Sequence, residues 1–240
     1  MANRINNRNY MMIDGINSMD YGVWIFGNGK YGIPKRDISM IDIPGRSGAL
    51  TVDNNRFSNI DIPYVCCIPY DTPSNLPAFK AVLLSGKGYR RIEDTFHPDE
   101  YRMGVYKGGQ DVKLSSDDAM SSFKAIFNCK PQRFLKSGER PIEFTSNGTI
   151  HNPTLFDAKP LIRVYGTGTF YVGAASVEIT SSTDYIDIDC ELQDAYRGLT
   201  NKNSSVVLSN NTFPSLPAGD TGIRLSGVSK VEITPRFWTI

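Results

Sequence analysis

Histidine and cysteine are scarce in this chain: its 240 residues include two of the first and four of the second. His97 precedes Pro98 and His151 precedes Asn152-Pro153. Neither stands in an H-E-x-x-H pattern or at metal spacing from a cysteine, so no zinc centre is expected. Cys66 and Cys67 are adjacent, and Cys129 and Cys190 stand alone. Without a C-x-x-C pair they read as small buried hydrophobes rather than as a disulfide framework. The chain also lacks a G-x-S-x-G elbow and a P-loop. Gly166-Thr167-Gly168 begins like a dinucleotide fingerprint but has neither the third glycine nor the following helix, which leaves a hairpin turn. No catalytic residue, cofactor or metal ligand is therefore expected.

Excess charge is missing as well. The 26 Lys and Arg against 25 Asp and Glu leave a net charge of +1. Up to Gln132 there are sixteen basic and fourteen acidic residues, and both halves are near neutral. A dedicated binder of nucleic acid or of acidic membranes would be lopsidedly basic. No apolar run reaches the roughly eighteen residues a membrane span needs. The opening MANRINNRNYMMIDG has no apolar signal region. The expectation is folding in a cytosol without membrane insertion. Apolar residues at 40% and aromatics at 11% suffice for buried cores.

What is present is alternation, and the chain is organised around Arg36–Ile68, RDISMIDIPGRSGALTVDNNRFSNIDIPYVCCI. Ile38 and Met40 alternate with Ile41 and Ile43, and Ile60, Ile62, Tyr64, Cys66 and Ile68 share one parity, which predicts half-buried strands. Between them Pro44–Asn59 is rich in Gly, Asn and Arg and longer than most connections in a compact domain. A long hairpin with a projecting tip is the simplest solution, and its unpaired edges call for a partner. The plainer alternative is a solvated loop. Leu50, Val52 and Phe57 are apolar on this otherwise polar segment, and Arg46 and Arg56 can grip a neighbour's carboxylates in two-pronged contacts. These five residues are the candidate subunit interface.

Elsewhere, Asp71–Ser85 predicts the best helix, capped by Ser74 or Asn75, with Leu76, Phe79 and Leu83 on one face and Gly86 as the C′ residue. Strands are expected near Tyr21–Phe26, Gly88–Asp94, Tyr101–Tyr106 and Ser121–Cys129. PQRFLKSGERP, Pro131–Pro141, reads as a linker, which places a domain boundary near Gln132. After it, short runs at Pro141–Phe144, Leu161–Tyr165, Thr169–Val172, Val177–Thr180, Tyr185–Ile188, Ser205–Leu208, Gly222–Leu225 and Lys230–Thr234 predict a β-sandwich. The acidic cluster Asp184, Asp187, Asp189, Glu191 and Asp194 reads as an exposed strand face, with a calcium loop as the alternative. Arg36, Arg46, Arg56, Arg90, Arg91 and Arg102 have Asp37, Asp42, Asp53, Glu93 and Asp94 nearby, which predicts ion pairs within or between subunits, or a pore lining.

RDISMIDIPGRSGALTVDNNRFSNIDIPY resembles the N-terminal segment of the siphophage distal tail protein family, often called Dit. GYRRIEDTFHPDEYRMG (Gly88–Gly104), FNCKPQRFLKSGE (Phe127–Glu139), AKPLIRVYGTG (Ala158–Gly168), IDCELQDAYRG (Ile188–Gly198) and PRFWTI (Pro235–Ile240) match further, in the family's order. The resemblance implies a structural virion protein at the distal tail tip, assembled in the host cytoplasm. Residues 1–132 would be a β-sandwich-like, ring-forming domain with one short helix and a long projecting hairpin. Residues 133–240 would be a galectin-like β-sandwich. The ring would be a homohexamer joining the tail tube protein to a tail-tip hub, often anchoring a receptor-binding protein, with DNA only in transit. The rival expectation is a lectin-like carbohydrate-binding module, with Tyr165, Phe170, Tyr171 and Tyr196 stacking on sugar. A hydrolase is a third possibility that no motif singles out.

Overall fold

The computed structural model describes residues 8–27, 32–69, 75–109, 120–182 and 184–240. They fall into two compact units, one running to Arg133 together with Ile240 and the other Phe134–Thr239. Both are built mostly of strands, as the period-two runs predict.

The first unit contains β1 (Met11–Ile13), β2 (Ile16–Asn17), β3 (Trp24–Phe26), β4 (Arg36–Ile41), β5 (Leu50–Phe57), β6 (Ile60–Pro69), α1 (Asn75–Leu84), β7 (Arg90–Asp94), β8 (Glu100–Tyr106) and β9 (Met120–Leu135). Its main sheet has the order β2-β1-β7-β8-β9-β6-β3. Asp14 and Gly15 join β1 to β2 with φ of 50° and 82°, the two left-handed residues of a tight hairpin turn. In β6, Ile62, Tyr64, Cys66 and Ile68 are buried on one parity, opposite Phe127, Ala125, Phe123 and Ser121 of β9. Phe79 and Leu83 of α1 close over the same core. The four residues before Asn75, including Ser74, lie outside the described set.

Gly86 does not act as a left-handed cap. It accommodates Arg90: a Cβ there would lie 2.0 Å from the Arg90 Cδ. Arg90 donates to the Val82 carbonyl oxygen near the end of α1 and to Asp14 Oδ2, so a cation completes the negative end of the helix. The strand expected over Tyr21–Phe26 is shorter, because Ser18–Tyr21 forms a 3-10 turn that Asn17 caps.

The expected linker is also corrected. Pro131–Leu135 is the end of the 16-residue β9, and Lys136–Gly138 is a 3-10 turn. Proline is tolerated in a strand wherever no N–H is demanded of it. A Cβ on Gly138 would sit 2.4 Å from the Phe237 nitrogen, so this turn is packed rather than loose.

The second unit contains β10 (Ile142–Phe144), β11 (Gly148–Asn152), β12 (Leu161–Tyr165), β13 (Gly168–Val172), β14 (Ala175–Ile179), β15 (Tyr185–Asp189), β16 (Asp194–Arg197), β17 (Thr200–Asn201), β18 (Val206–Leu208), β19 (Gly219–Ser226), β20 (Lys230–Thr234) and β21 (Trp238–Thr239). One sheet runs β10-β20-β12-β15-β16-β17 and the other β11-β19-β13-β14-β18. Ile162, Ile188 and Ile233 from the first and Phe170, Val177 and Ile223 from the second share one core, which makes the unit a β-sandwich.

Gly166–Gly168 is not a hairpin turn. It carries the chain from β12 in one sheet to β13 in the other. Gly168, at φ 130°, passes so close to Gly227 that a Cβ would meet its backbone at 2.7 Å.

The acidic cluster is an exposed face only in part: Asp184 and Glu191 are exposed, but its centre is not. Asp187 and Asp189 are 5% and 3% exposed. Arg163 grips Asp187 with bonds of 2.7 and 2.9 Å, and Arg236 grips Asp189 with 2.8 and 2.9 Å. Alternation marked them as outward. The arginine stems that cover them lie far away in sequence, so the strand pattern alone carried no sign of the burial.

Candidate functional site: a hairpin exposed on both faces

β4 and β5 form a two-stranded sheet of their own. The hairpin partner of β4 is therefore Leu50–Phe57, and the Ile60–Ile68 run belongs to the main sheet. The connection shrinks to residues 42–49, because Leu50–Phe57 takes up most of what reads as loop in the sequence.

Across the ladder Ile41 lies opposite Leu50 and Ser39 opposite Val52, so Ile41, Leu50 and Val52 share a face. Met40 opposite Thr51 and Ile38 opposite Asp53 make the other face. Among the described residues neither is covered. Ile38, Met40, Ile41, Ile43, Leu50 and Val52 are between 38% and 68% exposed. A lone two-stranded hairpin is marginal in water, and contiguous exposed apolar surface is the kind of feature that interaction sites present.

The base is pinned by charge. Arg36 pairs with Asp53 and lies 5.8 Å above the Phe57 ring, and Arg56 pairs with Asp37. Hydrogen bonds from Arg56 and Asn54 hold the Asp37 carboxyl below the usual carboxylate range. The Asn55 N–H, 2.9 Å from Asp53 Oδ1, and Arg36 do the same for Asp53. At the tip Gly45 and Gly48 have φ of 79° and 84°, which other residues resist. The Arg46 N–H donates to the Ile43 carbonyl oxygen at 3.1 Å. Among the described residues the exposed Arg46 side chain has no ion pair.

Of the five candidate residues, Leu50 and Val52 thus stand together on one face, and Arg46 stands at the tip. Arg56 is engaged by Asp37 of its own chain, and Phe57 is half-buried beneath Arg36. Sequence reasoning missed Ile38, Met40 and Ile41 as surface groups. Their alternation is the same signal that elsewhere means core.

The aromatics proposed for sugar stacking are dispersed or covered. Phe170 is wholly buried in the sandwich core, which removes it as a stacking residue. Tyr171 carries Arg224 4.5 Å over its ring, and Tyr165 carries Lys230 at 4.4 Å. They stand on different sheets. Tyr196 is half-buried beside Asp187 on β15.

No protein-family model matches the sequence, and no curated protein matches it. Solved structures do. The chain resembles SPP1 Dit (gp 19.1), described as a paradigm of the hub adsorption apparatus in phages infecting Gram-positive bacteria. The TM-score is 0.73 at 13% identity, over 97% of this chain and 99% of that one. It also resembles a chain of the phage P2 baseplate in its activated conformation with Ca, at TM-score 0.52 and 12% identity, over 94% and 96%. The same baseplate with Sr gives 0.51 at 12% identity. At such identities the likeness defines the fold, and the fold of this chain is that of SPP1 Dit.

Proposed function

We propose that the protein is a structural subunit of a long non-contractile phage tail, placed in the virion at the distal tail tip and assembled in the host cytoplasm. Residues 1–132 form a homohexameric ring and residues 133–240 a galectin-like outer domain. The ring joins the tail tube protein to the tail-tip hub, bears a receptor-binding protein, and lets DNA pass. It has no enzymatic role and needs no cofactor. The observation that carries this reading is the end-to-end fold likeness to SPP1 Dit, with the baseplate chains in support.

The hairpin is the proposed ring contact, through Arg46, Leu50, Val52, Arg56 and Phe57. A heterologous contact closes into a ring when its rotation divides the circle. Each buried apolar side chain would contribute roughly 1.5–3 kcal/mol. Light scattering should report six subunits for the wild type. A Leu50→Asp, Phe57→Asp variant should run as a monomer with unchanged circular dichroism. A wild-type monomer at every concentration, with no recovery of tail tube or hub protein from a phage lysate, overturns the reading.

A further inference from the structure

Among the described arginines of the first unit most are paired with a carboxylate, while the exposed Arg46 is not. Arg36, Arg56, Arg90 and Arg91 each meet a carboxylate of their own chain. Arg102 on β8 differs. It is 6% exposed, yet among the described residues it makes no hydrogen bond or ion pair. A guanidinium carries five donors and no acceptor, and none of the Arg102 nitrogens is wholly shut off from solvent without a partner, so what remains accessible opens on a neighbouring cleft.

Arg102 lines a cleft of about 180 Å³ together with Tyr64, Asp94, Phe96, His97 and Lys124. That volume admits several waters or one carboxylate or phosphate group. The cleft's own carboxylate is committed elsewhere. Asp94 Oδ2 accepts from the Tyr64 hydroxyl at 2.7 Å, and Oδ1 meets the backbone N–H and Nδ1 of His97, both at 2.9 Å. Burial, with the Asp94 charge beside it, pushes the Tyr64 phenol well above its ordinary value, so it stays a neutral donor. Arg102 and the exposed Lys124 outnumber the single Asp94 charge, so the lining is net cationic.

We propose that this cleft is an anion subsite in which Arg102 receives a carboxylate or phosphate group through paired N–H donors while Lys124 holds its mouth. A planar fork suits an oxyanion with two accepting atoms, and a charged acceptor gives a stronger bond than the water it displaces. The subsite lies on the main sheet and involves none of the hairpin residues.

The test titrates the full chain, by calorimetry and phosphorus NMR at constant ionic strength, with inorganic phosphate and with N-acetyl-glutamate methylamide. Saturable binding at one site per chain is expected. Phosphate alone binding identifies a free ion as the source, and the glutamate mimic alone binding identifies a side chain. Arg102→Gln should weaken binding about tenfold to a hundredfold, the effect of losing a charge-assisted hydrogen bond. Lys124→Gln alters an exposed residue and should weaken binding a few-fold while flattening its salt dependence. It decides the matter should Arg102→Gln fail to fold. Absence of saturable binding in the wild type, or affinity unchanged by these substitutions, overturns the proposal.

Discussion

The hairpin and the sandwich are written in the same period-two code and use it in opposite ways. In β12 the pattern Leu161–Tyr165 buries Ile162 and Val164 completely between two sheets. In β4 and β5 the alternation leaves apolar side chains exposed on both faces of a ribbon that no other described part of the chain covers. Alternation specifies which side chains travel together. It does not specify whether the surface they meet belongs to the same molecule. Where the chain supplies no second layer, period two reads as a request for a partner.

The largest expected effect tests this contrast directly. Ile162→Ala opens a void in a closed core and should cost about 2–5 kcal/mol in a urea titration. Leu50→Ala, measured at a dilution where scattering reports a monomer, should stay within about 0.5 kcal/mol of wild type. Equal losses would mean that the hairpin is packed within the monomer.

A smaller effect separates the ion pairs of the two regions. The Asp189 side chain is 4% exposed and Arg236 is 31% exposed. Burial raises the Asp189 carboxyl, but the Arg236 bonds and the N–H groups of Leu192 and Glu191 outweigh it, and the result lies below the usual range. Arg236→Ala strands that charge. Its cost should fall between the ~1 kcal/mol of a surface pair and the ~3–5 kcal/mol of a fully buried one. Arg56→Ala on the exposed hairpin should leave monomer stability nearly unchanged.

Much of the fold was legible in the sequence because local chemistry decided it. Leu161–Tyr165 and Lys230–Thr234 are strands at their predicted bounds, and the residues α1 buries include the expected Phe79 and Leu83 beside Val82. What failed was set by distant contacts. The end of β9 looks like a linker until its packing against Phe237 is known, and Asp187 and Asp189 look exposed until Arg163 and Arg236 cover them. At the candidate site Leu50 and Val52 were legible as apolar groups out of place. Ile38 and Met40 were not, because only the register shows that β4 pairs with β5 and lies outside the main sheet.

The smallest expected effect is electrostatic and would show whether the hairpin is held like a surface or like a core. Asp37 and Asp53 both have carboxyls lowered by their partners. A carboxyl whose folded pKa lies below its unfolded value, about 3.9 for Asp, stabilises the folded form above that value. The contribution disappears as pH falls through the folded pKa. The hairpin should therefore loosen below about pH 4, before any change in the sandwich core, and amide exchange across β4 and β5 should report it first. Both pairs are open to solvent, and at 1 M salt the Debye length shrinks to about 3 Å. Carbon NMR of the two carboxyls should then show their titrations moving up toward the ordinary value, while Asp189, enclosed with Arg236, keeps its lowered one. An Asp37 titration that salt leaves in place would show that the hairpin base is shielded, and the division between an open ribbon and a closed sandwich would have to be redrawn.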